Sequence, residues 1–444
     1  MNKEISKISI DKLKYNSGFN SLLNILFIVI QAPLVLITMG ICERAFSLEQ
    51  FGDIVLCFSI LNILIYADFG RSRVITSTIS KFAKNNSDSL KISFTEAMHS
   101  IKYSTKNIFL KTNLICFGLV ILLLILKSMK ILFLSDFIDY KYLLIILFIP
   151  ISFLLACLRG LFEGVIDFKE ANLVKIINGW TTYIPFLTIG VTKNYSPITA
   201  LSIALILKLI TGYYFWIRGF GDFVNKNHDK NKLKRTKSFE DELNRNSSWS
   251  FQSNILSPLI MNGDKFIVSS ILGLSQVSIY GPTVDIALRF IMLPASFSSA
   301  IIPKLAAGIS LNKKNFKSKV YRYHTINVLI SIANFIVLST SFSLILKIIF
   351  SPGFADKALP ILTIVSFGMF FNSLCFFPFS YLTSISKFKT IANIHLTDFL
   401  VFLFLLIVLS LKYGLVGAAL AWTIRAFIDC LLMYYYFMEG LNSN

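Results

Sequence analysis

Charged residues are scarce in this chain of 444 residues. Asp, Glu, Lys and Arg make up 15% of it, against about 25% in ordinary soluble domains, whereas apolar residues make up 55%. A single globular core rarely grows past about 250–300 residues, so a soluble fold of this composition would expose large apolar surfaces. The shortage of charge excludes disordered, fibrous and ordinary cytosolic proteins, and it predicts an all-α integral membrane protein.

Catalytic and metal-binding motifs are also missing. The sequence has no His-Glu-x-x-His, Walker A or Gly-x-Ser-x-Gly pattern, its four histidines are dispersed, and its six cysteines stand singly without a Cys-x-x-Cys pair. All predicted outer loops are short, whereas membrane-embedded sugar transferases and polymerases usually carry a sizeable catalytic outer loop. We therefore expect no enzymatic activity, no metal site and no organic cofactor.

Twelve apolar segments can cross the roughly 30 Å hydrocarbon core of a bilayer as helices. The second and fourth of them are the shortest. The segments are 18–41, 51–68, 108–127, 142–158, 173–191, 197–217, 249–272, 281–303, 323–346, 359–383, 391–411 and 414–437.

The net charge of +19 follows from an excess of Lys and Arg. Of the basic residues between the predicted spans or at their ends, 30 lie on the side of the N-terminus and 8 on the other side. Because cytoplasmic loops collect Lys and Arg, both termini are predicted to be cytoplasmic. The basic run 225–237 has no interleaved aromatic residues. We therefore interpret it as a solvated linker that contacts anionic lipid headgroups rather than nucleic acid.

This linker divides the chain into two halves. We predict an N-terminal lobe of six helices at 1–218, a cytoplasmic basic linker at 219–248 and a C-terminal lobe of six helices at 249–444. Short sequences repeat between the lobes: Phe51-Gly52 corresponds to Tyr280-Gly281, and 168–172 corresponds to 388–393. An even number of spans gives both lobes the same orientation, so the repeat axis lies along the membrane normal.

Four groups of short motifs occur in order over about 400 residues. They are Leu48-Glu49-Gln50-Phe51-Gly52 with Asp68-Phe69-Gly70; Arg159-Gly160-x-x-Glu163-Gly164 with Phe168 and Asn172; Asp264-Lys265-Phe266-Ile267-Val268 with Tyr280-Gly281-Pro282, Pro294 and Pro303; and the run from Tyr413 to Trp422. Together they resemble the Wzx-type O-antigen and capsular polysaccharide flippases, a polysaccharide biosynthesis family of the multidrug/oligosaccharidyl-lipid/polysaccharide exporter superfamily.

The resemblance implies two six-helix lobes around a central cavity that opens alternately to each side. It implies that undecaprenyl-pyrophosphate-linked oligosaccharide repeat units move from the cytoplasmic to the periplasmic leaflet of the bacterial inner membrane, for O-antigen or capsule assembly. Expected partners are that substrate, membrane lipids, a polysaccharide polymerase and a chain-length regulator. The alternatives are a lipid II flippase or a cation-coupled drug exporter of the same superfamily. A membrane polymerase or ligase acting on lipid-linked sugars is the alternative from a different class.

Charges inside membrane spans are costly and normally face a cavity or a partner. Lys111 lies close enough to the end of its span to reach the interface. The deeper bases are predicted to draw the pyrophosphate into the cavity, because Arg binds it bidentately and Lys offers a point charge. These bases are Lys208, Lys265, Arg289 and Arg425.

The carboxylates of the same spans complete the predicted substrate site. Asp285 precedes Arg289 by four residues and Asp429 follows Arg425 by four, so each pair either closes on one helix face or lines the cavity. Asp264 is adjacent to Lys265, and the two side chains point about 100° apart on a helix. Among amides, Gln31 and Asn262 are predicted to bind sugar hydroxyls, with Asn62 and Asn372 as further candidates.

Asp398 is a candidate for ion coupling, because His395 lies three residues before it. Such a pair can carry a proton. The alternative interpretation is a helix-end charge that reaches solvent. We expect H+ or Na+ as the coupled ion if transport is coupled.

The predicted topology can be tested with reporter fusions. A reporter fused after Lys237 is expected to be cytoplasmic and one inserted near Asp139 to be periplasmic, because the basic loops stay inside. Alkaline phosphatase and green fluorescent protein report the two sides independently. Both fusions reporting the same side would contradict the topology.

Overall fold

A computed structural model describes most of the chain. The described residues are 33–64, 68, 70–83, 94–128, 139–165, 167–225, 240, 241, 243, 259–298, 301, 305, 313–385 and 387–443. Within these ranges the regular structure is helical throughout and no β-strand occurs. The predicted all-α fold class is confirmed. It agrees with the rule that a helix satisfies its own backbone hydrogen bonds in hydrocarbon.

Eight helices precede the linker in the described chain. Residues 33–45 are helical and form α1. The others are α2 (Leu48–Leu64), α3 (Arg71–Ala83), α4 (Phe94–Ser128), α5 (Tyr140–Ile146), α6 (Phe148–Gly164), α7 (Phe168–Thr192) and α8 (Pro197–Asn225).

Five helices after the linker are described over their full length, and residues 259–262 and 292–298 are helical as well. The five are α9 (Asp264–Leu272), α10 (Leu274–Phe290), α11 (Lys313–Ile349), α12 (Pro352–Ser384) and α13 (Phe388–Ser443). Helix α13 is two helices joined at Gly414, whose φ of 59° is left-handed. Glycine has no side chain to oppose that conformation. The structure thus breaks the chain where the sequence predicts a break between the last two spans.

Seven helices of the described chain are long and apolar enough to cross a membrane. They cover eight predicted spans, because the continuous segment Lys389–Asn442 contains the last two. Helices α2 and α7 coincide with the predicted spans 51–68 and 173–191. Spans 18–41, 51–68, 249–272 and 281–303 lie partly outside the described residues.

Large apolar side chains cover the outer faces of these helices. On α4, Leu114 is 74% exposed and Ile115 is 70% exposed, and Leu411 on α13 is 69% exposed. A soluble protein does not present contiguous surfaces of this kind to water. The chain is therefore a multi-pass membrane protein whose exposed apolar faces contact lipid.

The residue contacts divide the chain into two compact units. The N-terminal unit comprises Met1–Thr38 and Ile60–Pro258, and the C-terminal unit comprises Met39–Ser59 and Leu259–Asn444. In the N-terminal unit α3 packs on α6 and α7 packs on α8; in the C-terminal unit α12 packs on both α11 and α13. Residues 39–59, which precede the linker by some 160 residues, thus pack with the second half of the chain.

One turn occurs in both units. Between α6 and α7 the Asp167 amide donates to the Phe162 carbonyl at 2.8 Å, and between α12 and α13 the Lys387 amide donates to the Leu382 carbonyl at 3.0 Å. The following helices begin at Phe168 and Phe388. These are the segments in which the sequence shows its second repeat, so the repeated residues form repeated local structure.

Candidate functional site

Lys265 forms the first buried ion pair of the C-terminal unit. Its Nζ lies 2.6 Å from Asp285 Oδ1, which joins α9 to α10, and the Lys265 side chain is 0% exposed. A buried ammonium needs a carboxylate nearby, because hydrocarbon and protein interior solvate it poorly. Of the two interpretations of Asp285, the pair with Arg289 on one helix face is therefore wrong: Asp285 is bound to Lys265, which lies 20 positions earlier.

Asp264 has different partners from its neighbour. It begins α9, where the helix dipole favours a negative charge. Its Oδ2 accepts a hydrogen bond from the Tyr280 hydroxyl at 2.8 Å, and its Oδ1 accepts one from the Lys265 amide at 2.9 Å. The two consecutive residues are thus satisfied separately, as their angular separation on a helix predicts. The sequence places Tyr280 in a motif but does not assign it to the site, because it carries no charge that would mark it.

Arg425 forms the second buried ion pair. Its Nη1 lies 2.8 Å from Asp398 Oδ2 within α13, across the break at Gly414, and both side chains are at most 3% exposed. The guanidinium carbon also lies 4.5 Å from the centre of the Trp422 ring. This cation–π contact is favourable in a dry environment. Of the two interpretations of Arg425, the pair with Asp429 on one helix face is wrong, because the guanidinium binds Asp398 instead.

Several polar atoms around Arg425 are buried without a hydrogen-bond partner in the described part of the chain. They are Nε and Nη2 of Arg425, Oδ1 of Asp398 and Oδ1 of Asp429. Leaving such atoms unpaired is costly, so each marks a place where a proton, an ion or a ligand group would be stabilised.

His395 is half-buried, with its ring 6.0 Å from that of Phe379. The alternative interpretation of Asp398 as a solvent-reaching helix-end charge is wrong, because Asp398 is 1% exposed.

The two ion pairs belong to one buried region, which we call the ionic core. Helix α9 packs against α13, and Tyr280 lies within electrostatic range of Arg425. The ionic core consists of Asp264, Lys265, Asp285, Asp398, Arg425 and Asp429, all of them buried. Four carboxyl groups thus surround two bases. The region does not present the excess of positive charge that the sequence leads us to expect.

Lys208 is the buried base of the N-terminal unit. It lies on α8, is 2% exposed, and its Nζ donates to the backbone oxygen of Asn178 on α7 at 2.9 Å and to the side-chain oxygen of the same residue. As the sequence predicts, it has no partner on its own helix. Its partner is an amide instead of a carboxylate, so no negative charge among these contacts neutralises the protonated amine.

Arg289 is the remaining predicted base. It lies in the last turn of α10 and is half-buried. Within the described residues its guanidinium makes no hydrogen bond and no ion pair. Asn262 lies two residues before the start of α9 and is half-buried, and Asn372 on α12 is 7% exposed. Gln31 lies outside the described residues. The assignment of these side chains to substrate binding stays a prediction.

The remaining sequence motifs hold helix ends together. Asp68 accepts hydrogen bonds from the Gly70 and Ser72 amides at 2.9 and 3.3 Å, which fixes the start of α3. Glu163, at the end of α6, lies 3.2 Å from the Lys175 amine and 4.0 Å from Arg159. These contacts account for the Asp68-x-Gly70 motif and the Arg159-to-Glu163 motif through capping and ion pairing.

Comparison with known proteins agrees with this architecture. Residues 17–309 match the profile of the family described as Polysaccharide biosynthesis protein. The chain belongs to this family. It is 27% identical over 422 residues to a Shigella flexneri protein named "Putative O-antigen transporter", across 93% of this chain and 96% of that protein. The resemblance to polysaccharide flippases is confirmed at the level of the family.

Solved structures of the same fold come from transporters. An inward-facing multidrug resistance MATE family transporter of the MOP superfamily superposes with a TM-score of 0.74 at 11% identity, over 95% of this chain and 98% of that one. The lipid II flippase MurJ in an inward closed conformation gives 0.68 at 18% identity, over 94% and 87%. Identities this low show the fold alone. The relatives are named as transporters and a flippase, in agreement with the prediction that this family member is no enzyme.

Breaking the Lys265–Asp285 pair is expected to destabilise the protein. Asp285→Ala leaves a buried ammonium unpaired, which costs about 3–5 kcal/mol. Replacing both partners by apolar residues, in Lys265→Met/Asp285→Leu, is expected to restore folded protein. The measurement is the amount of monodisperse protein in detergent and its melting temperature.

The matched control for this experiment is Asp285→Ala/Arg289→Ala. It removes the residue that the sequence favours as partner, and it is expected to stay as unstable as Asp285→Ala alone. Recovery in this control, with none in Lys265→Met/Asp285→Leu, would contradict the observed pairing.

Proposed function

We propose that this protein is a flippase that carries undecaprenyl-pyrophosphate-linked oligosaccharide repeat units from the cytoplasmic to the periplasmic leaflet of a bacterial inner membrane. The observation that carries the proposal is the family match over residues 17–309, in a chain of membrane helices. Two further observations support the proposal. The chain is similar to a protein named as an O-antigen transporter, and it has the fold of transporters. In the proposal, transport proceeds by alternating access, with a cavity between two six-helix lobes and both termini cytoplasmic.

Two bases are the proposed ligands of the pyrophosphate. Lys265 and Arg425 are each bound to a carboxylate, so their charge is largely cancelled at short range. Lys208 meets only an amide, and Arg289 makes no ion pair among the described residues. A pyrophosphate dianion is stabilised most by cations that are not already neutralised. We therefore assign direct contact with it to Lys208 and Arg289, and sugar contacts to Asn262 and Gln31.

The ionic core is the proposed site of ion coupling. Asp398 and Asp429 each keep one buried oxygen without a hydrogen-bond partner in the described chain, next to a single guanidinium. Two carboxylates around one base leave an uncompensated negative charge in a dry region, and H+ or Na+ would remove it. His395 lies within electrostatic range of Asp398.

The proposal includes a polysaccharide polymerase and a chain-length regulator as partners downstream of the flippase.

Deleting the gene tests the function as a whole. The expected result is that undecaprenyl-linked repeat units are still made but accumulate on the cytoplasmic leaflet, and that surface polysaccharide is lost. Accessibility of the lipid-linked glycan to an externally added lectin in right-side-out and inverted vesicles measures the leaflet. Loss of repeat-unit synthesis itself would indicate an enzyme, and unchanged surface polysaccharide would contradict the proposal.

Substituting the two proposed pyrophosphate ligands tests the site. Lys208→Ala and Arg289→Ala are each expected to lower export by about 10- to 100-fold, since a charge-assisted contact is worth about 1.5–3 kcal/mol. Arg289→Lys should retain partial export if charge alone matters and should fail if bidentate geometry matters. Export is measured as periplasmic lipid-linked glycan per unit of membrane-inserted protein.

Two control variants separate binding from folding. Lys111→Ala removes an exposed base on α4 and is expected to export normally. Asn178→Ala removes the amide that holds Lys208 but keeps the ammonium, so it should retain export if Lys208 binds substrate. A fully active Lys208→Ala, or an Asn178→Ala variant as inactive as Lys208→Ala at equal protein level, would contradict the assignment of Lys208.

A further inference from the structure

Two lysines in the N-terminal part of α4 lie one helical turn apart. Lys102 and Lys106 are separated by four positions, so their side chains leave the same face of the helix. Lys106 is exposed and Lys102 is half-buried. The two amines lie within electrostatic range of each other, so each positive charge repels the other. An anion bound beside both amines would remove this repulsion.

A nearby base of the N-terminal unit is neutralised inside the protein, whereas these two lysines are not. Arg218 on α8 lies with its Nη2 2.9 Å from Glu170 Oε1. Among the described residues, neither Lys102 nor Lys106 forms an ion pair with a carboxylate. The charge of the two lysines is therefore available to an anion from outside the chain.

Aromatic rings of α8 lie beside Lys102. The Lys102 Nζ is 6.0 Å from the centre of the Phe220 ring, at the outer limit of a cation–π contact. The Phe220 ring is in turn 4.6 Å from the Trp216 ring, centre to centre. Trp216 is half-buried and ends the predicted span 197–217, and Trp is typical of the boundary between membrane and water. The packing of α4 on α8 thus holds the Lys102 amine at the membrane surface.

The depth of the two amines matches the phospholipid headgroups. The predicted span begins at 108, so Lys106 and Lys102 precede it by about 3 Å and about 9 Å at 1.5 Å per residue. Headgroups occupy about 5–8 Å on each side of the hydrocarbon core. The Lys and Arg asymmetry predicts that this end of α4 is cytoplasmic. We therefore expect the amines to lie among the headgroups of the cytoplasmic leaflet.

Apolar side chains continue the same row of α4 into the hydrocarbon. Side chains four positions apart form one ridge of a helix. Leu110 and Leu114 follow Lys106 on this ridge and are 49% and 74% exposed. Two bases followed by two exposed leucines match the two parts of a phospholipid, an anionic headgroup and an acyl chain. A free phosphate ion would contact only the first part.

We propose that Lys102 and Lys106 bind the phosphate of an anionic phospholipid whose acyl chain lies along Leu110 and Leu114. We call these four residues the lipid site. Basic clusters beside membrane helices on the cytoplasmic side are typical binding places for such headgroups. The lipid site faces the bilayer, whereas Lys208, the proposed ligand of the exported pyrophosphate, is 2% exposed. The inference concerns a lipid of the membrane and does not depend on the cargo of the transporter.

Lipid binding to the purified full chain tests the lipid site. Native mass spectrometry in detergent counts single bound lipids, with dioleoyl phosphatidylglycerol as the anionic probe and dioleoyl phosphatidylcholine as the zwitterionic probe. Wild-type protein is expected to bind one phosphatidylglycerol about 30-fold more tightly than phosphatidylcholine, because each base beside an anionic headgroup strengthens binding about 5-fold. Lys102→Gln/Lys106→Gln is expected to lower the phosphatidylglycerol affinity to that of phosphatidylcholine. Each single change is expected to lower it about 5-fold.

Two further variants separate the lipid site from total charge and from folding. Lys111→Gln removes an exposed base that lies nine positions from Lys102, on the opposite face of α4. It is expected to leave the tightest phosphatidylglycerol affinity unchanged. Lys102→Arg/Lys106→Arg keeps both charges and is expected to retain at least half of the wild-type affinity. Circular dichroism and size-exclusion elution in detergent compare the folding of all variants.

Undecaprenyl pyrophosphate is the third probe, because it distinguishes the proposed cargo from a phospholipid of the membrane. Its affinity is expected to be the same in the wild type and in Lys102→Gln/Lys106→Gln. A double variant that loses undecaprenyl pyrophosphate, alone or together with phosphatidylglycerol, overturns the assignment to a membrane phospholipid.

The phosphatidylglycerol measurements decide the remaining cases. A folded Lys102→Gln/Lys106→Gln that binds phosphatidylglycerol as tightly as the wild type overturns the lipid site. A loss as large in Lys111→Gln overturns it too, because binding would then follow total charge. Loss in the double Gln variant, with binding kept in the double Arg variant and in Lys111→Gln, supports the lipid site.

Discussion

Every charge that this chain buries has to be stabilised inside the helix bundle, because lipid hydrocarbon does not solvate it. This constraint explains much of how the C-terminal unit is arranged. Lys265 on α9 and Asp285 on α10 hold two helices together at 2.6 Å, and Arg425 and Asp398 connect the two segments of α13 across Gly414. Tyr280 then satisfies Asp264, the carboxylate that begins α9.

The same constraint is met differently in the N-terminal unit. Lys208 is as deeply buried as the bases of the ionic core, yet its partner is the Asn178 amide. An amide satisfies the hydrogen bonds of an ammonium without cancelling its charge, so this base stays attractive to an anion. In the proposed mechanism the paired bases hold the helices of the ionic core together, and Lys208 and Arg289, which no described carboxylate neutralises, bind the pyrophosphate.

Carboxylates also bind the unpaired backbone groups at helix ends. Asp68 binds the amides at the start of α3, and Glu43 binds the amide and hydroxyl at the start of α12. Such contacts place charge at the polar boundary of the bundle, where the unpaired backbone groups of helices lie. These contacts satisfy backbone amides that the helices themselves leave unpaired.

The sequence by itself determined the membrane class, the helical fold and most span positions, since hydropathy is a local property of about 20 consecutive residues. It also located the break near Gly414 and the repeated turns before Phe168 and Phe388. The charged residues of the candidate site were likewise visible, because few charges occur in apolar segments. The choice of partner was not visible. Asp285 and Arg289 have ideal spacing on one helix, yet Asp285 binds Lys265, and only helix packing decides which carboxylate faces which base.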